Sequence, residues 1–375
     1  MQEAEVVLSI LDEKSSNDRN FVFKRLYRIL FNTKLYEYLS RDLKNTLEKN
    51  DVVRISQNLK KERLKEIFSC ENYAKVVCEL TTKILDALYE SLCIGKLSKK
   101  ERKFKDLRSR FSFIKEDFSK TKYFIEVLIE DLDLKALDKN LNLIFEKKIE
   151  DGRFLSIIRK NIEYFGQTDK RQALLLKKVL NHAIFYYICD KIADKNTFEE
   201  DVSYCIYNER LIFAVKGNIT KVLELEKKIN FELKFLFKNT KTSSNVEIKD
   251  INSKNLIFAG FEITKSKDGK IFYLMPLDVL NKAIKPFFKD GKIVHFNSWI
   301  NLSVDTIIAK YKAKIKPIES YYKDTENFSK RMKRLKYHLE LSLLKTIARK
   351  EKISVKKVLK RYGKNLLDMD IVKNN

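Results

Sequence analysis

Apolar side chains recur at three- and four-residue steps through much of this chain. In Tyr73–Leu92, the residues Val77, Leu80, Ile84 and Leu88 form one apolar stripe, which is the pattern of a helix that packs on a core. Similar patterns predict further helices over Phe21–Tyr38, Leu134–Glu150, Gln172–Ala193 and Ile219–Phe237. Turn-forming residues are scarce, with 8 Gly and 3 Pro, so a mostly helical fold is expected.

Strands are predicted in the middle of the chain. Tyr123–Ile129 is dense in β-branched and aromatic residues and predicts a mostly buried strand. Val202–Tyr207 and Arg210–Val215 are separated by Asn208 and Glu209, which is hairpin spacing with an Asn that tolerates positive φ. Short strands are also expected at Leu256–Thr264 and Lys270–Met275. This order of elements predicts a palm-like α+β layer, an antiparallel sheet with helices on one face.

Positive charge is concentrated towards the carboxyl end. The whole chain has 77 Lys and Arg against 52 Asp and Glu, a net charge of +25, and residues 309–364 alone have 19 against 5. Such a surplus favours a polyanionic partner, and nucleic acid is the first expectation. A membrane surface is the competing polyanion, but no apolar run reaches the roughly 18–20 residues that cross a bilayer. The acidic segment Met1–Ser16 fits neither a signal peptide nor a transit peptide.

Cysteine and histidine do not form a metal-binding pattern. The five cysteines include no C-x-x-C pair, and none of the three histidines lies at ligand spacing from them. We therefore expect no zinc site and no other cofactor, with the cysteines as reduced, small, buried residues. The cysteines are Cys70, Cys78, Cys93, Cys189 and Cys205, and the histidines are His182, His295 and His338.

An ordered set of motifs lies between Leu302 and Leu366. It comprises an Ile-Ile pair with Tyr311, the pair Tyr321-Tyr322, Ser342, Lys345-Thr346 followed by Ala348 and Lys350, and Tyr362-Gly363. The set resembles domain X of group II intron maturases. One departure is that the glycine which the family has ahead of the Tyr-Tyr pair is absent, with Lys316-Pro317 in its region.

The resemblance continues upstream in the same order. Segments similar to the reverse transcriptase part of these maturases are Phe23–Tyr36, Lys75–Glu90, Ile149–Leu155 and Leu256–Ile263. Five of the eight glycines also fall where the family uses glycine, namely Gly152, Gly166, Gly217, Gly260 and Gly363. The resemblance implies a mainly α fold with a small α+β palm, a degenerate right-hand polymerase of fingers, palm and thumb followed by a helical domain X. The implied domains are a reduced fingers-like helical region at 1–115, a degenerate reverse transcriptase palm at 116–275, a thumb-like linker region at 276–300, domain X at 301–366 and a tail at 367–375.

The chain departs from the family at the polymerase site. The family's Tyr-Ala-Asp-Asp motif is replaced by Tyr207-Asn208-Glu209-Arg210, and Leu128 stands where the first palm strand should carry its catalytic Asp. Magnesium ions need carboxylate oxygens there, which leucine and arginine lack. The fingers also lack the Arg-Pro-Leu-Gly-type segment, and no His-Asn-His nuclease module follows domain X. We therefore expect no catalytic residues, no metal, no DNA synthesis and no DNA cutting.

The resemblance implies a structured intron RNA in a precursor transcript as the partner, and a splicing cofactor instead of an enzyme. The candidate RNA-binding residues are Lys310, Lys312, Lys314, Tyr321, Tyr322, Lys330, Arg331, Lys333, Arg334, Lys336, Ser342, Lys345, Thr346, Arg349, Lys350, Lys356, Lys357 and Arg361. Tyr321, Tyr322 and Tyr337 are expected to stack on unpaired bases or to pack between helices. The cations alternatively form a solvated face. Ser342 and Thr346 contact phosphate or lie on a plain helix surface.

Other interpretations stay open at this point. One is a residually active reverse transcriptase that uses Glu209 with Asp131 or Asp133, and another is a general basic protein that binds RNA or DNA. The charged stretch Lys96–Arg110 is either a linker or an exposed helix face. The Lys, Asn, Ile and Phe content suggests an AT-rich organellar genome, with a plastid (chloroplast) favoured over a mitochondrion. Oligomeric state and the introns served stay open.

Overall fold

The computed structural model of the chain describes residues 3–42, 48–96, 118–166, 170–193, 202–238, 240–251, 255–363 and 365–367. Contacts divide the chain into two compact units, residues 1–254 and 255–375. Each unit buries its own set of apolar side chains. Within the described residues, no helix combines the length and the apolar character needed to cross a bilayer.

The first unit is built mainly from helices. They are α1 (Ala4–Asn17), α2 (Thr33–Asp42), α3 (Lys49–Lys60), α4 (Leu64–Phe68), α5 (Glu71–Tyr89), α6 (Leu141–Phe145), α7 (Gly152–Phe165), α8 (Lys170–Ala193) and α9 (Ile219–Leu236). The predicted stripe on α5 is buried and packs against α8. At the start of α7, Asp151 accepts hydrogen bonds from the backbone N–H of Phe154 and from that of Tyr27. This cap therefore also holds the amino-terminal segment on the core.

A five-stranded antiparallel sheet completes the first unit. Its strands are β1 (Ile94–Lys96), β2 (Tyr123–Asp131), β3 (Val202–Tyr207), β4 (Arg210–Val215) and β5 (Ser243–Asp250), in the spatial order β1-β3-β4-β2-β5. Ile125, Val127 and Ile129 of β2 face the apolar core, because alternate side chains of a strand share one face. The predicted hairpin is confirmed: β3 and β4 are joined at Asn208, whose φ is 52°.

One long-range backbone pairing interrupts two of the predicted helices. The N–H of Phe23 donates to the carbonyl of Lys148 at 2.8 Å, and the N–H of Glu150 donates to the carbonyl of Phe23 at 2.9 Å. Both segments must be extended to make these bonds, so tertiary pairing overrides the helical pattern. Phe21–Tyr38 therefore contains a 3-10 helix at Leu26–Phe31 before α2, and Leu134–Glu150 contains a 3-10 helix at Ala136–Asn140 before α6.

The second unit combines two small sheets with helices. Its strands are β6 (Leu256–Phe258), β7 (Phe261–Lys265), β8 (Ile271–Leu274), β9 (Phe288–Lys289) and β10 (Lys292–Ile293), and its helices are α10 (Leu277–Ile284), α11 (Val304–Tyr322), α12 (Phe328–Glu351) and α13 (Val355–Tyr362). β6, β7 and β8 form one antiparallel sheet, and β9 and β10 pair as a hairpin. Leu335, Leu339, Leu343 and Ile347, which recur at four-residue steps along α12, are all buried.

The strands β6 to β8 belong with the second unit, although the predicted palm extended to residue 275. The N–H of Tyr273 donates to Glu326 and that of Met275 donates to Asn327, both at 2.8 Å. Asn327 returns a hydrogen bond to the carbonyl of Met275. These bonds join the third strand of the sheet to the turn before α12, so the structural division falls at 254/255.

At the level of fold class, the prediction is confirmed as a mostly helical chain with small antiparallel sheets. The helices predicted over Gln172–Ala193 and Ile219–Phe237 are present as α8 and α9. The interpretation as a degenerate right hand with fingers, palm and thumb stays a prediction. The charged stretch from Lys96 onwards lies outside the described residues, apart from Lys96 itself.

Candidate nucleic-acid interface

A buried polar network joins α11 to α12. The hydroxyl of Tyr311 lies 2.9 Å from that of Ser342 and 3.0 Å from that of Thr346, and all three side chains are 0% exposed. Burial raises the pKa of the Tyr311 phenol, and the two hydroxyl contacts oppose that rise. The three hydroxyls are neutral and hydrogen-bonded to one another, and they therefore fix the two helices relative to each other.

The same face of α12 holds the segment 293–296. The Ser342 hydroxyl donates to the carbonyl of Val294 at 2.6 Å, and the N–H of Phe296 donates to the Thr346 hydroxyl at 2.9 Å. The Lys345 ammonium donates to the carbonyl of Ile293 at 2.6 Å. The predicted RNA contacts through Ser342 and Thr346 are therefore wrong, because both side chains are buried and bonded within the protein.

Tyr321 and Tyr322 support a tight turn. Their hydroxyls donate to the carbonyls of Ala259 and Gly260 at 2.7 and 2.8 Å. Gly260 has φ 76°, and a Cβ there would lie 3.2 Å from the Tyr322 hydroxyl, so the site favours glycine. For Tyr322, whose side chain is buried, packing fits and stacking on an unpaired base does not. The Tyr321 ring is already stacked on Phe261, with centroids 5.0 Å apart, which supports packing between elements.

The outer face of α12 carries exposed cations. Lys330, Lys333 and Arg334 are exposed, at spacings of three and four residues that place them on one side of the helix. Tyr337, one turn further on, is 64% exposed. No ion pair joins these three cations to any carboxylate in the part of the chain that the structure describes. This combination of free positive charge and an exposed ring suits the phosphates and bases of RNA.

The other predicted cations differ in their ion pairing and in the exposure of their side chains. Lys336 pairs with Glu319 at 3.4 Å and Arg361 pairs with Glu351 at 3.3 Å, while Lys310 lies 5.7 Å from the Trp299 ring centroid. Those whose side chains are exposed are Lys310, Lys314, Arg349, Lys356, Lys357 and Arg361, and those half-buried are Lys312, Arg331, Lys336, Lys345 and Lys350. The candidate cations therefore lie along α11, α12 and α13 and do not converge at one point.

A cleft of about 690 Å³ lies where α12 ends and α13 begins. Its polar lining comes from His295, Lys345, Arg349, Lys352 and Ser354, and no carboxylate lines it among the residues that the structure describes. Ser354 caps α13 by accepting from the N–H of Lys357. Cations beside a helix amino terminus form a favourable environment for a phosphate group.

Sequence reasoning missed three of these cleft residues. His295 lies outside the predicted domain X, and nothing in the local pattern of Lys352 shows that it ends a helix with φ 55°. Ser354 carried a usable signal, since a Ser directly before an amphipathic run is a common helix cap. The cleft itself depends on the segment 293–296 lying against α12.

In the first unit, Arg210, one of the residues that the resemblance compared with the polymerase motif, belongs to an ion cluster. Leu128 of β2 pairs with Arg210 of β4 across the sheet. The Glu126 side chain is 6% exposed and makes ion pairs with both Arg210 and Lys249. The charge of the Glu126 carboxylate is therefore neutralised by the side chains of Arg210 and Lys249.

The three carboxylates proposed for residual polymerase activity have different surroundings. Asp131 pairs with Lys177 at 3.0 Å, and Asp133 accepts hydrogen bonds from backbone N–H groups. Glu209 is exposed and borders a cavity of about 530 Å³ with Leu128 and Arg210. Among the described residues, no three His, Cys, Asp or Glu side chains form a group that could hold a metal ion.

The helices of the second unit thus share a buried polar network and carry outward cations, an arrangement that suits a polyanionic partner. Residues 280–375 match the family model described as type II intron maturase. This region starts within α10 and includes α11, α12 and α13. The carboxyl-terminal quarter of the chain therefore has the sequence of a type II intron maturase domain, and the resemblance to group II intron maturases is confirmed there.

Proposed function

We propose that this chain is an intron maturase that binds structured intron RNA and assists the splicing of group II or group III introns. The observation that carries the proposal is the exposed α12 face, where Lys330, Lys333 and Arg334 have no carboxylate partner in the described structure and lie next to Tyr337. This face lies within the region that matches type II intron maturases. Cations on a rigid support relieve the repulsion between closely packed phosphates of a folded intron.

The proposed role is that of a cofactor, because cleavage and ligation are carried out by the intron RNA itself. Loss of polymerase activity is part of the proposal. It is supported by Leu128 and by the Glu126 cluster, in which Arg210 and Lys249 supply the positive charge that metal ions supply in a polymerase. A primer-extension assay with the full chain tests this part, and template-dependent incorporation would contradict it.

A splicing assay tests the cofactor role. Precursor transcripts of a group II intron are incubated with and without the full chain at moderate salt. We expect the protein to accelerate splicing at low magnesium, and the intron alone to splice slowly at high salt. A protein that binds such transcripts no better than unrelated structured RNA, and leaves splicing unchanged, would instead be a general basic RNA-binding protein.

We also propose an organelle as the compartment, a plastid before a mitochondrion. The support is the Lys-, Asn-, Ile- and Phe-rich composition expected from an AT-rich genome. Immunoblots of purified plastids and mitochondria test the assignment. Recovery of the protein in the cytosolic fraction alone would contradict it.

A further inference from the structure

Two phenylalanines project from the first unit into solvent. On α9, Phe231 is 64% exposed and Phe235 is 54% exposed. They lie four residues apart, which places them on one face of the helix about 6 Å apart along its axis. Neither ring has an aromatic or cationic partner among the described residues. Such exposure of two large rings costs hydration free energy and indicates a surface that is covered in the functional state.

Lysines surround these rings. Lys227, Lys234 and Lys238 are exposed, one turn before Phe231, one turn after it and one turn after Phe235. None of the three has an ion-pair partner within the described ranges. We name Lys227, Phe231, Lys234, Phe235 and Lys238 the α9 platform.

Glu224, one turn before Lys227, is an exposed carboxylate of this helix outside the platform, whereas the two carboxylates closer to the rings in sequence are engaged elsewhere. Glu232 accepts a hydrogen bond from the Tyr187 hydroxyl at 3.4 Å, and Glu226 accepts one from the Asn230 amide at 3.1 Å. Both side chains are half-buried. The platform therefore presents positive charge and aromatic faces together, with no free carboxylate between Lys227 and Lys238.

We infer that the α9 platform binds an unpaired, single-stranded stretch of RNA. Bases stack on Phe231 and Phe235, and the lysines contact the neighbouring phosphates. Interleaved aromatic rings and cations are what single-stranded nucleic acid requires, because every base has a face to stack and every linkage has a charge to neutralise. An apolar protein partner would leave the three lysines without counter-charges, so charge complementarity favours RNA. The inference rests on the proposed function for its RNA partner, but concerns a surface outside the matched region.

The test separates stacking from general apolar contact. It uses a variant of the full chain with Lys330→Ala, Lys333→Ala and Arg334→Ala, so that the α12 face contributes little to RNA binding. Its affinity for a fluorescent 12-nucleotide unstructured RNA is measured by anisotropy, with and without Phe231→Leu and Phe235→Leu. Leucine keeps the apolar surface and removes the ring, and we expect the affinity to fall about tenfold or more. Phe231→Trp and Phe235→Trp should restore it.

A second readout locates the contact. The same RNA with 5-bromouridine is crosslinked to the full chain and digested with trypsin. We expect crosslinked peptides 229–234 and 235–238, each of which contains one ring of the platform. Unchanged affinity in the leucine variants, or crosslinks confined to the second unit, would overturn the inference.

Two further outcomes are distinguishable. If Phe231→Glu and Phe235→Glu abolish self-association in sedimentation while RNA affinity stays the same, the platform is a protein interface and the inference is wrong. If the leucine variants bind intron RNA like the unmodified chain but the α12 variants lose binding, the proposed function stands without this inference.

Discussion

The hydroxyl of Tyr311 lies 2.9 Å from the hydroxyl of Ser342, with both side chains fully buried between α11 and α12. Ser342 also donates to the carbonyl of Val294. Residues that the sequence resemblance made candidates for RNA contact therefore support the surface instead of forming it. The exposed cations of α12 owe their fixed positions to this network.

Removal of the Ser342 hydroxyl should lower stability and leave RNA contact intact. Ser342→Ala leaves the carbonyl of Val294 and the Tyr311 hydroxyl with one partner fewer, which we expect to cost about 1–3 kcal/mol. The single tryptophan, Trp299, lies with its ring centroid 5.1 Å from that of Tyr311, so its fluorescence reports urea unfolding of the second unit. Ser329→Ala, on the exposed side of α12, is the matched control.

The affinity of the folded Ser342→Ala variant for intron RNA should match that of the unmodified chain. An unchanged unfolding midpoint combined with a weaker affinity would show that Ser342 acts at the RNA and not in the core.

Substitution of Arg210 should loosen the central sheet without creating a polymerase. Arg210→Ala leaves Glu126 with Lys249 alone, so we expect a loss of about 1–3 kcal/mol, less than the usual cost of breaking a buried pair. Arg210→Asp should cost more, because it places a second carboxylate beside Glu126. Hydrogen exchange of peptides from β2 and β4 measures the change.

Arg63→Ala provides the control, since its pair with Glu66 is exposed and such pairs contribute little. Equal exchange in all variants would mean that the Glu126 cluster does not stabilise the sheet. Primer extension by Arg210→Asp would mean that the site is closer to activity than proposed.

Asp86 gives a prediction about pH. Burial raises the pKa of this carboxyl above its ordinary value of 3.8, although Lys178, 3.6 Å away, opposes the rise. The folded state therefore binds the proton more tightly than the unfolded state, and Asp86 reduces stability as the pH rises from about 4 through the folded pKa.

Asp86→Asn should accordingly stabilise the first unit at neutral pH, and the gain should shrink as the pH falls towards 4. Hydrogen-exchange protection of α5 in the variant and in the unmodified chain, measured across this range, provides the comparison. A variant that is less stable at pH 7 would show that the ion pair with Lys178 outweighs the cost of burial.

The elements predicted well from sequence are those whose local pattern and final environment agree. The stripe on α5 and the Asn208 hairpin follow from periodicity and turn chemistry alone. β5 was missed because Ser243–Asp250 is polar and forms a partly exposed edge of the sheet, where alternation is weak. The interruptions of the helices predicted over Phe21–Tyr38 and Leu134–Glu150 do not follow from local sequence, because the pairing of Phe23 with Lys148 and Glu150 spans more than a hundred residues.

Part of the candidate site, likewise, could be predicted from the sequence and part could not. Sequence indicated the cations of α12 through their density, and Lys330, Lys333 and Arg334 are indeed exposed. It could not separate surface hydroxyls from buried ones, because Ser342 and Thr346 share a helix face with both Leu335 and Leu339. The partners of that face, Tyr311 and the segment 293–296, are distant in sequence.

The central claim is that the exposed face of α12 binds structured intron RNA. The most direct test is the affinity of the full chain for a group II intron transcript between about 50 and 200 mM salt, for the unmodified protein and for Lys330→Ala, Lys333→Ala, Arg334→Ala. A matched control removes the same charge from exposed lysines elsewhere in the second unit, through Lys267→Ala, Lys270→Ala, Lys282→Ala. If three phosphate contacts are lost, the slope of log affinity against log salt should become shallower by roughly 2–3 in the α12 variant. An α12 variant with the same affinity and slope as the control variant would contradict the account.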